Sequence, residues 1–236
     1  GSDADTITGN KYQNNIQGNT GNDTIAGGAG NDSLTGGEGD DVIIGNFGDD
    51  DLFGEGGNDT ITDDQGANYI DGGEGDDTLS SRSLTGNHTL IGGSGRDNIS
   101  GTGETLYIDA GEGQDNINIY GYVQNEGVNN YLSSGEAIVL AGGGDDYINA
   151  ADFINVNARG GEGRDSFNSS NWSQWASMSV FYGEEDNDYG YLNRSYNAEF
   201  SGGKGEDSLM WDAVASGNLS GGEGDDNITS NYGGNI

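Results

Sequence analysis

The chain has 236 residues, of which 47 are Gly, 41 Asp or Glu, 7 Lys or Arg, one His and none Pro or Cys, giving a formal charge of −34. Without cysteine there is no disulfide framework or thiolate metal site; no apolar run approaches the roughly 18 residues of a membrane span, and no Lys or Arg between Lys11 and Arg82 is available for nucleic-acid phosphates. Ile, Leu, Val and Phe make up about 17 % of the chain, below the ~20 % that with high charge marks disorder, so either the chain is a disordered acidic segment or a bound cation supplies the missing stability.

The order of the residues decides between these. Ile7, Ile16, Ile25, Leu34, Ile43, Leu52, Ile61, Ile70 and Leu79 each stand nine residues after the last, a register that disordered chains do not keep. Gly27 to Thr35 reads GGAGNDSLT and Gly36 to Ile44 reads GGEGDDVII. The glycine-rich half permits positive φ and close backbone approach, which suits a tight turn with its carbonyls directed inward. The Asp-x-apolar-x half is too short for a helix and suits a brief strand with one inward side chain. Two units close a coil of eighteen residues, so equivalent positions stack about 4.8 Å apart. The expected fold is an all-β, flattened parallel β-solenoid of about twelve coils, a single domain over 1–236, strict over 1–80 and with longer coils over 81–236.

Counting by coils sorts the sixth-position residues onto two edges. One edge collects Asp5, Asp23, Asp41, Asp59 and Asp77, followed by Asp97, Asp115, Asp146, Asp165, Asp207 and Asp226. Tyr182 to Asn187 reads as a degenerate member with Asn187 in the Asp position. The other edge carries Asn14, Asp32, Asp50 and Asn68, after which the pattern dissolves and irregular chain is expected; only Asp32 and Asp50 pair there as carboxylates. The spacing of 31 between Asp115 and Asp146 predicts a protruding loop near 120–134. Two apolar lanes, one through Ile99, Ile117, Ile148, Phe167, Tyr189 and Leu209 and one through Leu90, Ile108, Val139, Ala158, Val180 and Phe200, form the expected core. His88 reads as a loop residue, and fifth-position acids such as Asp40 and Asp76 as outward surface charge.

Stacked carboxylates repel unless a cation lies between them. Oxygen donors with flexible glycine-rich carbonyls favour Ca²⁺ over octahedral Mg²⁺. The Gly-Gly-x-Gly-x-Asp-x-apolar-x units resemble the RTX (repeats-in-toxin, hemolysin-type) nonapeptides of secreted bacterial proteins. The resemblance implies a right-handed β-roll in which each ion sits between turns one coil apart, held by both sixth-position aspartates and by carbonyls. On this chain the implied ligands are Asp5, Asp23, Asp41, Asp59, Asp77, Asp97, Asp115, Asp146, Asp165, Asp207 and Asp226, with Asp32 and Asp50 on the second edge, for about eight to twelve ions. No secure site is expected beside Asn187 or across the long insertion.

The resemblance further implies type I secretion, folding in response to extracellular calcium, and location outside the bacterial cell or on its surface. The leading expectation is a non-enzymatic calcium-binding module of an adhesin or surface-layer protein. The alternative is a calcium-dependent module that binds a glycan or other partner, or associates with itself, through Tyr120, Tyr122, Tyr131, Trp172, Trp175, Tyr191, Tyr196 and Trp211. Ice binding is weaker, since Glu38, Glu74, Glu112, Glu162 and Glu223 interrupt the row begun by Thr20 and Asn22. No Ser/His/Asp or Gly-x-Ser-x-Gly constellation points to an enzyme. The end at Gly233-Gly234-Asn235-Ile236, inside a repeat, reads as a cut from a larger protein.

Overall fold

The structure, a computed structural model, describes residues 2–83, 85–125, 128–131, 135–152, 155–170 and 176–231. Its strands join in parallel into one β-solenoid of about eleven turns, consistent with a right-handed roll. The nine-residue period explains the pairing. Ile7 lies beside Ile25, Ile25 beside Ile43, Ile43 beside Ile61 and Ile61 beside Leu79. On the opposite sheet Ile16, Leu34, Leu52, Ile70 and Leu90 stack in the same way. A strand residue flanked by outward neighbours points inward, so each short strand adds one side chain to a narrow core, and Ile25, Leu34, Ile43 and Leu52 are fully buried.

The core changes character past Leu79. Strands lengthen to eight residues in Asn87–Ser94, Thr105–Glu112, Glu136–Gly143 and Asn155–Glu162. The longer strands bring two further inward columns to the second edge: Leu106, Ala137, Val156 and Ser179 in one, Ile119, Ala150, Ser169, Leu192 and Trp211 in the other, all buried. Trp211, read from the sequence among the aromatics of a binding surface, is wholly buried. Among the described residues the edge expected to be irregular has no glycine-aspartate turns here, and its last coils are continuous strand. Tyr189–Lys204 and Ser208–Glu223 each run 16 residues, turning the corner at Arg194 and Ala213 with φ of 59° and 55°.

One register differs from the sequence expectation. Phe181, not Val180, lies beside Ala158, and Gly190, not Tyr189, lies between Phe167 and Leu209. Tyr189 points outward and is 44 % exposed. The missing side chain at Gly190 is replaced by a ring: a Cβ there would meet Phe200 at 2.3 Å. Phe200 in turn packs on Phe181 and Phe167, with centroids 5.2 and 5.8 Å away.

The long insertion contains Tyr122–Asn125 and Val128–Tyr131, an antiparallel pair outside the main sheet. Trp172 and Trp175 and the final repeat fragment lie outside the described residues, as do the side chains of Tyr122 and Tyr131.

Candidate metal centre

The main edge is held by an unbroken ladder of side chain on backbone. The Asp5 N–H donates to Oδ1 of Asp23, the Asp23 N–H to Asp41, and so on through Asp59, Asp77, Asp97, Asp115, Asp146 and Asp165. It continues through Asp188 and Asp207 to Asp226. The bridge from Asp115 to Asp146, at 2.8 Å, spans the long insertion without a break.

Asp188, not Asn187, occupies the sixth position of the degenerate turn. Asn187 lies one place earlier, in the outward row, where its Oδ1 accepts the Glu206 N–H. The turn was hard to frame because Glu184 and Asp186 replace its second and fourth residues, and both nonetheless adopt left-handed φ of 82° and 69°. The spacing from Gly183 to Asp188 matches that from Gly160 to Asp165, and this is the signal that frames it. All twelve turns of this edge therefore carry aspartate.

A second ladder runs the other way along the fifth positions. Asp40 N–H donates to Asn22, Asn58 N–H to Asp40, Asp76 N–H to Asn58 and Arg96 N–H to Asp76. Asp40 and Asp76 are exposed, as their place in the turn predicts.

From Asp23 on, Oδ1 is committed to the ladder, which leaves Oδ2. The Oδ2 atoms of Asp23, Asp41, Asp59, Asp77, Asp97, Asp115, Asp146, Asp165, Asp188 and Asp207 are buried and accept no hydrogen bond. Unpaired carboxylate oxygens in the interior are costly without a counter-charge. Burial, first of all, raises the carboxyl of Asp59 to about 6 and those of Asp77 and Asp188 to about 7. It raises Asp146 to about 7 and Asp165 to about 8, and neighbouring carboxylates add to the rise.

A fixed carbonyl oxygen faces the orphans of Asp23, Asp59, Asp77, Asp97, Asp165, Asp188 and Asp207. At Gly54 the place a Cβ would fill lies 2.2 Å from Oδ2 of Asp59 and 2.3 Å from the carbonyl of Gly72, one coil on. At Gly92 the same point lies 2.3 Å from the Ala110 carbonyl and 2.4 Å from Asp97 Oδ2. Carboxylate and carbonyl oxygens gathered on one small cradle, with no nitrogen or sulfur, are a donor set for a hard cation with Ca²⁺–O distances of about 2.3–2.6 Å. Among the described residues no three Asp, Glu, His or Cys side chains converge, so main-chain carbonyls complete any such site. The residues fit calcium.

The chain matches the RTX calcium-binding nonapeptide repeat. The family model, which describes four copies of the repeat, matches residues 1–34, 27–61 and 53–83. No curated protein matches the chain. The RTX match covers residues 1–83, the strict first third of the chain, and the Oδ1 ladder carries the same turn through Asp226. Residues 1–83 thus carry RTX calcium-binding repeats, and the parallel solenoid they open continues through the later strands.

The second edge carries a shorter version of the ladder. Asn14 N–H donates to Asp32, Asp32 N–H to Asp50, Asp50 N–H to Asn68, and Asn68 N–H to Nδ1 of His88. Asp32 and Asp50 are each buried with Oδ2 unpartnered. His88 is not a loop residue: it stands in strand Asn87–Ser94, is 2 % exposed, and heads the column that Leu106 continues. Sequence reasoning missed it because no periodic apolar signal marks a histidine as inward.

Proposed function

We propose that the module orders on meeting extracellular calcium, with ions between successive turns of the main edge bound by Asp5, Asp23, Asp41, Asp59, Asp77, Asp97, Asp115, Asp146, Asp165, Asp188, Asp207 and Asp226, and on the second edge by Asp32 and Asp50. The row of buried, unpartnered Oδ2 atoms carries this reading. In the metal-free chain those carboxylates would be charged when unfolded and uncompensated when folded, and a formal charge of −34 opposes compaction. Calcium reverses both effects. The module would then stay unfolded where calcium is scarce and fold at a bacterial cell surface or beyond it, as a spacer or scaffold in an adhesin or surface-layer protein. Circular dichroism with and without EGTA tests this: a β spectrum that survives exhaustive chelation at neutral pH overturns it.

A second reading, as a binding surface for a neutral glycan, is favoured by one observation. The outward ranks beside the Ile25–Ile43–Ile61 lane run from Thr6 and Thr8 to Asn227 and Thr229 without a charged residue, while the opposite sheet places Asp51, Asp71, Asp109, Glu136, Arg159 and Glu199 outward. Tyr147 and Tyr189 are 40 % and 44 % exposed on the uncharged face, and aromatic rings stack on sugars. Loss of glycan retention in Tyr147→Ala and Tyr189→Ala, with calcium folding intact, is the expected outcome. A calcium titration followed by light scattering reports self-association.

A further inference from the structure

Asn68 breaks the acidic row of the second edge. Its side chain has no oxygen to spare, since Oδ1 accepts the Asp50 N–H and Nδ2 donates to the Gln65 carbonyl. By motif, calcium binding on this edge should stop at Asp50.

The structure places another carboxylate there. Asp63 lies in the strand position that Gly45 holds one coil earlier, beyond the Ile44–Thr62 pair. It therefore stands at the first position of its turn, where the repeat calls for glycine. It is 1 % exposed, its Oδ1 accepts the Gln65 N–H at 3.1 Å, and its Oδ2 is buried with only the Asp50 carboxyl facing it. Asp50 has the same pattern, with Oδ1 taken by the Asp32 N–H and Oδ2 buried and unpartnered.

Both free oxygens point to one place. The position a Cβ on Gly45 would fill lies 2.1 Å from Asp63 Oδ2 and 2.5 Å from Asp50 Oδ2. One coil earlier, the corresponding point at Gly27 lies 2.4 Å from Asp32 Oδ2 and 2.9 Å from the Gly45 carbonyl. Asp63 thus puts a carboxylate where the regular turn offers a carbonyl. Among the described residues no cationic side chain is paired with either acid.

We infer that Asp50 and Asp63 hold a calcium ion between the third and fourth turns of the second edge, the carboxylate lost at Asn68 being restored from the first position of the same turn. Such an ion extends the second-edge row by one site past the Asp32–Asp50 pair. Two buried carboxyls facing each other have one other means of neutralisation, a shared proton, and the two differ in ion count.

This inference rests on the calcium reading of the module, and the test separates the two. Bound calcium per folded chain is counted by native mass spectrometry for the full chain, Asp63→Asn and Asp63→Gly, the last restoring the residue type of the regular turn. The expected result is a loss of one ion in Asp63→Asn, with the remainder kept, and the same loss or a weakened last site in Asp63→Gly. Equal counts in the full chain and Asp63→Asn overturn the inference and leave the module's calcium binding standing. A full chain that binds no calcium overturns both. Should the variants fail to fold, anomalous scattering from calcium-grown crystals of the unaltered chain decides: a peak between the two Oδ2 atoms supports the site, and its absence alongside peaks on the main edge overturns it.

Discussion

The Asn68 N–H donates to Nδ1 of His88 across 3.3 Å, and that contact ends the polar ladder of the second edge. An amide N–H can only donate, so Nδ1 is the acceptor and the imidazole is neutral; the Ser81 hydroxyl lies 3.0 Å from the same nitrogen. One coil on, Leu106 takes the place of His88, and Ala137 and Val156 follow it. Histidine here supplies a ladder acceptor on one side and a flat ring for the greasy column on the other. Removing it in His88→Ala leaves a buried amide without its partner, at about 1–3 kcal/mol. His88→Asn, the residue type at position 68, should recover part of that loss. Thermal unfolding of both variants in saturating calcium checks the order.

The same histidine gives the holo fold an acid limit. Burial lowers its pKa. A base with a depressed folded pKa contributes stability above its unfolded value, near 6.5, and loses it as pH falls. The His88→Asn variant should therefore lose less stability than the parent between pH 7 and pH 5 at matched calcium occupancy, read by denaturant unfolding.

The turn at Gly183 offers a paired test. Asp188→Asn removes a buried free oxygen and should lower bound calcium, whereas Asn187→Ala, in the exposed row, should leave the ion count unchanged. Isothermal titration of both variants measures this. Much of the fold was legible in the sequence because the nine-residue period fixes strand, turn and coil together, so Asp5 to Asp77 fell onto one edge by counting. Legibility failed where a side chain departs from the period for a local reason. Glu184 and Asp186 adopt glycine-like φ and hid the frame at Asp188, and a slip of one residue then turned Tyr189 inward on paper. Asp63 and His88 were unreadable because their roles depend on the turn one coil away, which no local motif records.

In chelator, pH should act opposite to its effect through His88. The carboxyls of Asp59, Asp77, Asp146, Asp165 and Asp188 are raised by burial to between about 6 and about 8. An acid whose folded pKa is raised favours the fold fully below its unfolded value, near 3.8, and ceases to do so as pH rises through the folded value. The EGTA-treated chain should gain β signal as pH is lowered from 8 to 4. A coil spectrum unchanged across that range would show that burial of these acids is not what keeps the metal-free chain open.

Gly190 and Phe200 are a matched pair. Any side chain at 190 collides with the Phe200 ring, which is held by Phe181 and Phe167 and has little room to withdraw. Gly190→Val should destabilise by about 1–3 kcal/mol through overpacking. Phe200→Ala alone should cost about 3–5 kcal/mol. In Gly190→Val/Phe200→Ala the added side chain re-enters the lane that Phe167 and Leu209 define, so the double variant should be more stable than the sum of the singles. Denaturant midpoints in calcium supply the cycle.

The two halves of the solenoid should also part company when calcium is withdrawn slowly. A coil in the strict half buries two dependable side chains, such as Ile43 and Leu52, and relies on acids at both edges. The coil through Leu106, Ile108, Ile117 and Ile119 buries these four large side chains and Ala110. At roughly 1.5–3 kcal/mol for each buried side chain, the later coil has about 3–6 kcal/mol more apolar stabilisation. The second edge no longer contributes repulsion there either, because its carboxylates have given way to Leu106, Ala137 and Val156. Hydrogen exchange at stepped free calcium should therefore show amides of Thr24–Ala29 and Val42–Phe47 losing protection before those of Thr105–Glu112 and Glu136–Gly143. Simultaneous loss would mean that the ladder along the main edge couples all coils into one cooperative unit, and that the apolar columns add stability without dividing the fold.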